Sequence, residues 1–214
     1  MPRNPLPTGL YVITDSQLIP GPRLADSVAR AIAGGAVMVQ YRDKQHTAAQ
    51  RAREAATLAG LCQRHGVPLI INDDIELACH VGAAGVHLGA ADAAPGHARD
   101  RLGDEAIIGV SCYNRLENAR QAQDAGASYI AFGRFFPSPT KPDAVQARPA
   151  LLADARRELA LPLAAIGGIT PENGTELVAA GADLLAVIHG VFGAADVTAT
   201  ARRYAALFET GSAT

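Results

Sequence analysis

Gly35-Ala36-Val37-Met38-Val39-Gln40 is the first of four like phrases in this chain: a Gly-Ala pair closing a helical stretch, then an apolar strand. The phrase returns as Gly82-Ala83 ahead of Val86–Leu88, as Gly126-Ala127 ahead of Tyr129–Phe132, and as Gly181-Ala182 ahead of Leu184–Ile188. A glycine there ends a helix in the left-handed conformation at no Cβ cost. Successive phrases lie far enough apart for two strand–helix units each. Between them fall four more apolar runs, Leu10–Ile13, Val67–Ile71, Ile107–Val110 and Leu163–Ile166. All eight runs are apolar throughout rather than alternating, the pattern of strands buried on both faces.

Helical periodicity predicts helices over Leu24–Gly34, Ala48–His65, Ile75–Val81, Arg115–Ala125, Leu151–Leu159, Pro171–Ala180 and Val197–Phe208, with the weakest pattern around Ala94–Leu102. Strict strand–helix alternation predicts a parallel sheet. Eight units predict a closed (β/α)8 TIM barrel, with an open doubly wound sheet as the alternative. Residues 1–214 read as one barrel domain with frayed ends at Met1–Thr8 and Thr210–Thr214.

Composition narrows the function. With 49% hydrophobic residues and a net charge of -2, the 214-residue chain is neither disordered nor a natural partner for nucleic acid. No apolar run approaches the roughly 18 residues of a membrane span. The opening Met1-Pro2-Arg3-Asn4-Pro5 lacks the apolar core of a signal peptide, so a cytoplasmic location is expected. Cys62, Cys79 and Cys112 form no CxxC and read as reduced thiols. The six His do not cluster with them at zinc-ligand spacing. A homo-oligomer is left open.

The active sites of such barrels lie at the carboxyl ends of the strands, so the polar residues that follow each apolar run matter most. The second strand ends in Gln40, Arg42 and Lys44 at alternate positions, which in extended chain share one face. An amide, a bidentate guanidinium and an ammonium together suit an oligophosphate. Of 19 Lys and Arg residues only Lys44 and Lys141 are lysines, and both sit in loops after strands. There a compact point charge does what a planar guanidinium does poorly. The third strand ends in Asn72-Asp73-Asp74 and the fourth in His87 and Gly89, with Asp92 beyond. Asp74 reads as the cap of the following helix. Asp73 and Asp92 are then the candidate ligands for Mg2+, which takes one or two carboxylates and leaves its other positions to water and substrate phosphate. His87 reads as a packed, hydrogen-bonded histidine. Ser111 closes the fifth strand. The sixth is followed by a long Pro-rich loop carrying Ser138, Thr140 and Lys141. Gly167-Gly168 and Ile188-His189-Gly190, after strands seven and eight, let backbone N–H groups approach a phosphate. Two anion sites, one cationic and one of backbone, predict two phosphorylated substrates.

These residues resemble the thiamine-phosphate synthase family. The resemblance rests on Leu10-Tyr11-Val12-Ile13-Thr14-Asp15, Val39-Gln40-Tyr41-Arg42-Asp43-Lys44, Ile71-Asn72-Asp73-Asp74, Gly85-Val86-His87-Leu88-Gly89 with Asp92, Ile108-Gly109-Val110-Ser111, Ser138-Pro139-Thr140-Lys141 and Ala165-Ile166-Gly167-Gly168-Ile169. It implies a transferase that joins a hydroxymethylpyrimidine diphosphate to a thiazole phosphate and releases pyrophosphate. Gln40, Arg42, Lys44 and Asn72 would hold the pyrimidine diphosphate, with Mg2+ on Asp73 and Asp92. Ser111 and Lys141 would lie at the departing pyrophosphate, and with Lys44 they are the implied catalytic residues. Ser138, Thr140, Gly167, Gly168 and the Ile188-His189 backbone would face the thiazole phosphate. Three positions depart from the family: Ser138 where Thr is common, Ala90 where Gln is common, and His189 where Ser is usual. Three rivals rank lower. A thiazole tautomerase of the same fold has no use for a diphosphate receptor, and here Tyr113 stands where its base would be. A Schiff-base aldolase, using Lys44 or Lys141, needs a dry lysine, whereas Lys44 lies beside Arg42 and Asp43. A barrel that only binds phosphorylated metabolites would not need both carboxylates.

Overall fold

The computed structural model describes residues 6–89, 91–137 and 145–209. Eight parallel strands close into one barrel in sequence order: β1 (Gly9–Ile13), β2 (Ala36–Tyr41), β3 (Leu69–Asn72), β4 (Gly85–Leu88), β5 (Ile107–Tyr113), β6 (Tyr129–Gly133), β7 (Leu163–Ile166) and β8 (Leu184–Val187). Around them run α1 (Gly21–Ala33), α2 (Ala48–His65), α3 (Ile75–Val81), α4 (Pro95–Leu102), α5 (Leu116–Asp124), α6 (Ala150–Glu158), α7 (Pro171–Ala179), α8 (His189–Phe192) and α9 (Val197–Glu209). The closed barrel replaces the open-sheet alternative, because β1 pairs with β8 as well as with β2. No helix of the described residues is long and apolar enough to cross a membrane.

Two apolar layers hold this frame. Strand residues facing outward, such as Leu10, Val12, Val39, Ile71 and Val86, pack against the helices in one continuous core. Residues facing inward, among them Tyr11, Ile13, Met38, Ile70, Tyr129, Ala131 and Leu184, fill the barrel. Burying each large aliphatic side chain contributes about 1.5–3 kcal/mol. Strand spacing also depends on missing atoms. A Cβ on Gly85 would lie 1.8 Å from the Ile107 carbonyl oxygen, and one on Gly109 would lie 2.0 Å from Cζ of Tyr129.

The differences from the sequence reading are local. β3 starts at Leu69, so Val67 and Pro68 lie outside it, and it runs on to include Asn72. β5 extends to Tyr113, with a register shift against β6 between Ser111 and Tyr113. β8 ends at Val187. Ile188, which the sequence reading placed in the strand, is the N-cap of α8, a four-residue helix that the sequence reading did not assign. Asp74 caps α3 as expected, its Oδ1 accepting from Leu77 N at 2.9 Å.

Candidate active site

A cavity of about 350 Å³ opens at the carboxyl ends of the strands. It brings together Gln40, Arg42, Asn72, Ser111, Gly167, Gly168, Ile188 and His189. Lys44, Asp73 and Asp92 do not line it. Asp73 and Asp92 face a shallower depression on its β3–β4 side, shared with Asp74 and Arg51. The two regions touch through short contacts: Asn72 Nδ2 donates to Asp73 Oδ2 at 2.7 Å, and Lys44 Nζ stands 3.6 Å from the same oxygen. The alternation Gln40, Arg42, Lys44 therefore holds for the first two residues. It lapses at Lys44, three residues beyond the end of β2 at Tyr41, whereas Arg42 directly follows the strand and is pinned to Thr14. That ammonium is paired and 61% exposed, unlike a dry Schiff-base lysine.

Two devices aim the β2 residues. Thr14, buried at the end of β1, accepts from Arg42 N at 2.9 Å and donates to Arg42 O at 3.3 Å, pinning the arginine backbone. In the next loop Asp43 Oδ1 accepts from Gln45 N at 2.8 Å and from His46 N at 3.3 Å, while its Oδ2 meets His46 Nδ1 at 2.6 Å. Burial alone would raise the Asp43 pKa, but these bonds to Gln45 and His46 outweigh it and hold the carboxyl below its ordinary value. Tyr41 OH joins the cluster by donating to Glu54 Oε2 at 2.9 Å.

Asp73 adopts φ 56°, a left-handed backbone that a short polar side chain tolerates. Burial raises its pKa; Lys44 and Arg51 pull it back, the Asp92 charge adds to the rise, and the net is upward. Asp92 is oriented by Gly89 N, which donates to its Oδ2 at 2.6 Å. Two carboxylates facing one depression, with Lys44 beside Asp73, form a donor set suited to a hard divalent cation. Among the described residues Asp43, His46 and Glu54 also place ligand atoms within 4.8 Å of one another, but they are already hydrogen-bonded as described.

The floor of the cavity carries a hydrogen-bonded chain. Gln40 Nε2 donates to Tyr11 OH at 2.6 Å, Tyr11 OH meets Tyr129 OH at 2.9 Å, and Tyr129 OH meets His87 Nδ1 at 2.9 Å. His87 Nε2 then meets Ser111 Oγ at 2.9 Å. Both tyrosines are fully buried, and burial lifts their pKa values far above 10, so they are neutral. His87 is the packed, hydrogen-bonded histidine expected, with Ser111 as one of its partners.

Across the mouth, Gly167 and Gly168 have φ values of 105° and 63°. A Cβ on Gly167 would lie 2.3 Å from Cβ of Arg134, and one on Gly168 would lie 2.3 Å from the Pro137 carbonyl oxygen. These glycines therefore seat the loop after β6 as well as line the cavity. The first turn of α8 presents the N–H groups of His189 and Gly190, which have no intrahelical acceptor. Ala90, Ser138, Thr140 and Lys141, all singled out in the sequence, lie outside the described residues.

A family model described as thiamine monophosphate synthase matches residues 10–191. The chain belongs to the thiamine monophosphate synthase family. It is 51% identical over 196 residues to the thiamine-phosphate synthase of Nitrosococcus oceani, covering 92% of this chain and 90% of that protein. Identity to the thiamine-phosphate synthase of Thiobacillus denitrificans is 52% over 202 residues, covering 94% and 95%. Among solved structures, a thiamine phosphate pyrophosphorylase from Pyrococcus furiosus superposes with a TM-score of 0.86 at 32% identity, covering 96% of this chain and 98% of that one. Membership makes the protein a transferase.

Sequence reading gave no role to Thr14, to the Asp43–His46 pair or to the Tyr11–Tyr129 contact. The signal for the tyrosines was available. A Tyr in a strand buried on both faces must find a hydrogen-bond partner for its hydroxyl.

Proposed function

We propose that this barrel mouth forms thiamine phosphate by joining 4-amino-5-hydroxymethyl-2-methylpyrimidine diphosphate to a thiazole phosphate, with loss of pyrophosphate. One observation carries the reading: the cations and carboxylates of the β2–β4 ends stand beside the cavity, and the glycine-built backbone of the β7–β8 ends stands across it. That is the layout two phosphorylated reactants need.

The pyrimidine lies against Gln40 and Ser111. Its diphosphate reaches toward Arg42, Lys44 and Asn72. Asp73 and Asp92 would hold Mg2+, which when bound neutralises charge growing on the leaving pyrophosphate. Arg42 grips two phosphate oxygens in a fork, and Lys44 adds a point charge at the rim. As the carbon–oxygen bond breaks, the aminopyrimidine spreads positive charge from its methylene. The thiazole nitrogen then attacks that carbon. No side chain acts as a nucleophile; the protein contributes position and electrostatics. Gly167, Gly168 and the Ile188-His189 backbone hold the thiazole phosphate. Lys141 at the pyrophosphate, and Ser138 and Thr140 at the thiazole phosphate, complete the set by resemblance. The substrates are small soluble metabolites, consistent with action in the cytoplasm.

The test is pyrophosphate release from the two substrates and Mg2+, each omitted in turn. Release that needs all three, matched by thiamine phosphate, supports the reading. Absence of release with active control enzyme refutes it.

A further inference from the structure

The floor chain joins two residues that meet the same substrate, and its proton count links their behaviour. Among the described residues Tyr11 OH has two partners, Gln40 Nε2 and Tyr129 OH. An amide nitrogen can only donate, so the Tyr11 oxygen accepts from Gln40. The single Tyr11 proton then goes to Tyr129; otherwise it would be buried without an acceptor, a costly arrangement. Tyr129, having accepted, donates its own proton to His87 Nδ1. That leaves the histidine proton on Nε2, where it is donated to Ser111 Oγ. The Ser111 hydroxyl hydrogen is thereby released toward the cavity. At the other end, with one Nε2 hydrogen engaged by Tyr11, the Gln40 amide is held against flipping and keeps a set orientation.

We propose that Tyr11, Tyr129 and His87 form a polarity relay that makes Gln40 and Ser111 read an aminopyrimidine and reject its oxo counterpart. The ligand assignment rests on the proposed function; the relay itself rests on the hydrogen-bonded geometry. An aminopyrimidine edge offers an amino donor beside a ring-nitrogen acceptor. A side-chain amide matches it as a fork, carbonyl to amino and N–H to ring nitrogen, as Gln and Asn match adenine. A 4-oxo pyrimidine reverses both groups and would be matched equally well by a flipped amide. Flipping Gln40 would require every proton in the chain to reverse, moving the histidine proton to Nδ1 and turning Ser111 Oγ into an acceptor toward the cavity. A Ser111 acceptor would face a departing pyrophosphate that is itself rich in acceptors. Both ends of the substrate therefore favour the same direction of the relay. Gly109 belongs to this arrangement, because a Cβ there would lie 2.3 Å from the Tyr129 hydroxyl oxygen. The three relay residues are positioning residues; Gln40 and Ser111 make the contacts.

The imidazole 15N spectrum of the uniformly labelled protein tests the relay directly, with the His87 signals assigned by their loss in His87→Gln. The expected result is a neutral His87 protonated at Nε2; a proton on Nδ1 overturns the proposal. Kinetics supply a second arm, using the 4-oxo analogue of the pyrimidine diphosphate as a competitor. Tyr129→Phe cuts the relay while keeping the ring. It should narrow the preference for the amino substrate over the oxo competitor by about tenfold, the worth of one neutral hydrogen bond, with the thiazole phosphate KM unmoved. An unchanged preference also overturns the proposal. If Tyr129→Phe does not fold, the spectrum of the unsubstituted protein decides alone. Absence of pyrophosphate release from the unsubstituted protein would instead refute the proposed function, and the His87 spectrum would still report the direction of the relay.

Discussion

The two sides of the barrel mouth solve the same problem with opposite materials. Along β2–β4 the groups suited to phosphate and metal are side chains: Arg42, Lys44, Asp73 and Asp92. Along β7–β8 they are backbone, made approachable by Gly167 and Gly168 and by the first turn of α8. The first side is held by hydrogen bonds to its neighbours, as Thr14 holds Arg42 and Gly89 holds Asp92. The second is held by close packing, with the loop after β6 resting where a Cβ would stand. A side-chain site is broken by removing atoms, whereas a backbone site is broken by adding them.

The largest expected effect lies on the carboxylate side. Asp73→Asn or Asp92→Asn should lower the rate of pyrophosphate release about a hundredfold or more, the scale of losing one preorganised electrostatic group. Release measured across a Mg2+ series checks it, and near-normal rates would move the cation elsewhere. Gly168→Ala is the matching test across the mouth. Its φ of 63° and the Pro137 carbonyl oxygen 2.3 Å from the added Cβ oppose the substitution. It should cost about 1–3 kcal/mol of stability. It should raise the thiazole phosphate KM at least severalfold while sparing the pyrimidine diphosphate KM. Equal damage to both constants would mean the two sides are one unit.

Arg42→Lys keeps the charge and loses the fork, so the pyrimidine diphosphate KM should rise about tenfold. His189→Ala should raise the thiazole phosphate KM by a smaller factor, and an unaltered value would show that the backbone alone serves there. The smallest effect concerns pH. The Asp43 pKa is lowered in the fold, so its stabilisation of the β2–α2 loop is present above the ordinary carboxylate range and is lost as pH falls through the lowered value. Asp43→Asn should flatten the acid side of a melting-temperature profile; an unchanged acid slope would assign that slope to other carboxylates.

Legibility followed the range of the interactions. Eight apolar runs, four of them flagged by Gly-Ala pairs, marked the barrel, because double-sided burial leaves its imprint on every residue of a strand. Asp74 was legible as a cap because its partner, Leu77 N, is three residues away. The short helix α8 was not. His189-Gly190-Val191-Phe192 follows the apolar run of β8 directly and is too short to show a helical period. Distant packing seats this turn: a Cβ on Gly190 would lie 2.3 Å from the hydroxyl oxygen of Tyr204, which itself donates to Ile169 O. Lys44 was assigned to the inner face by extending strand alternation beyond the point where β2 ends.

By itself the sequence determined the eight alternating strand–helix units, with a closed barrel as the expected arrangement, and the candidate set at the strands' carboxyl ends. Those are properties of periodicity and of short motifs read at strand ends. Only the tertiary structure decided that Asp73 and Asp92 share a depression beside the main cavity. It also decided that Arg42 is pinned from β1, and that Gln40 and Ser111 are ends of one hydrogen-bonded chain. Each of these depends on side chains from different strands meeting across a closed barrel, and closure is a property of the whole sheet that no local stretch of sequence carries.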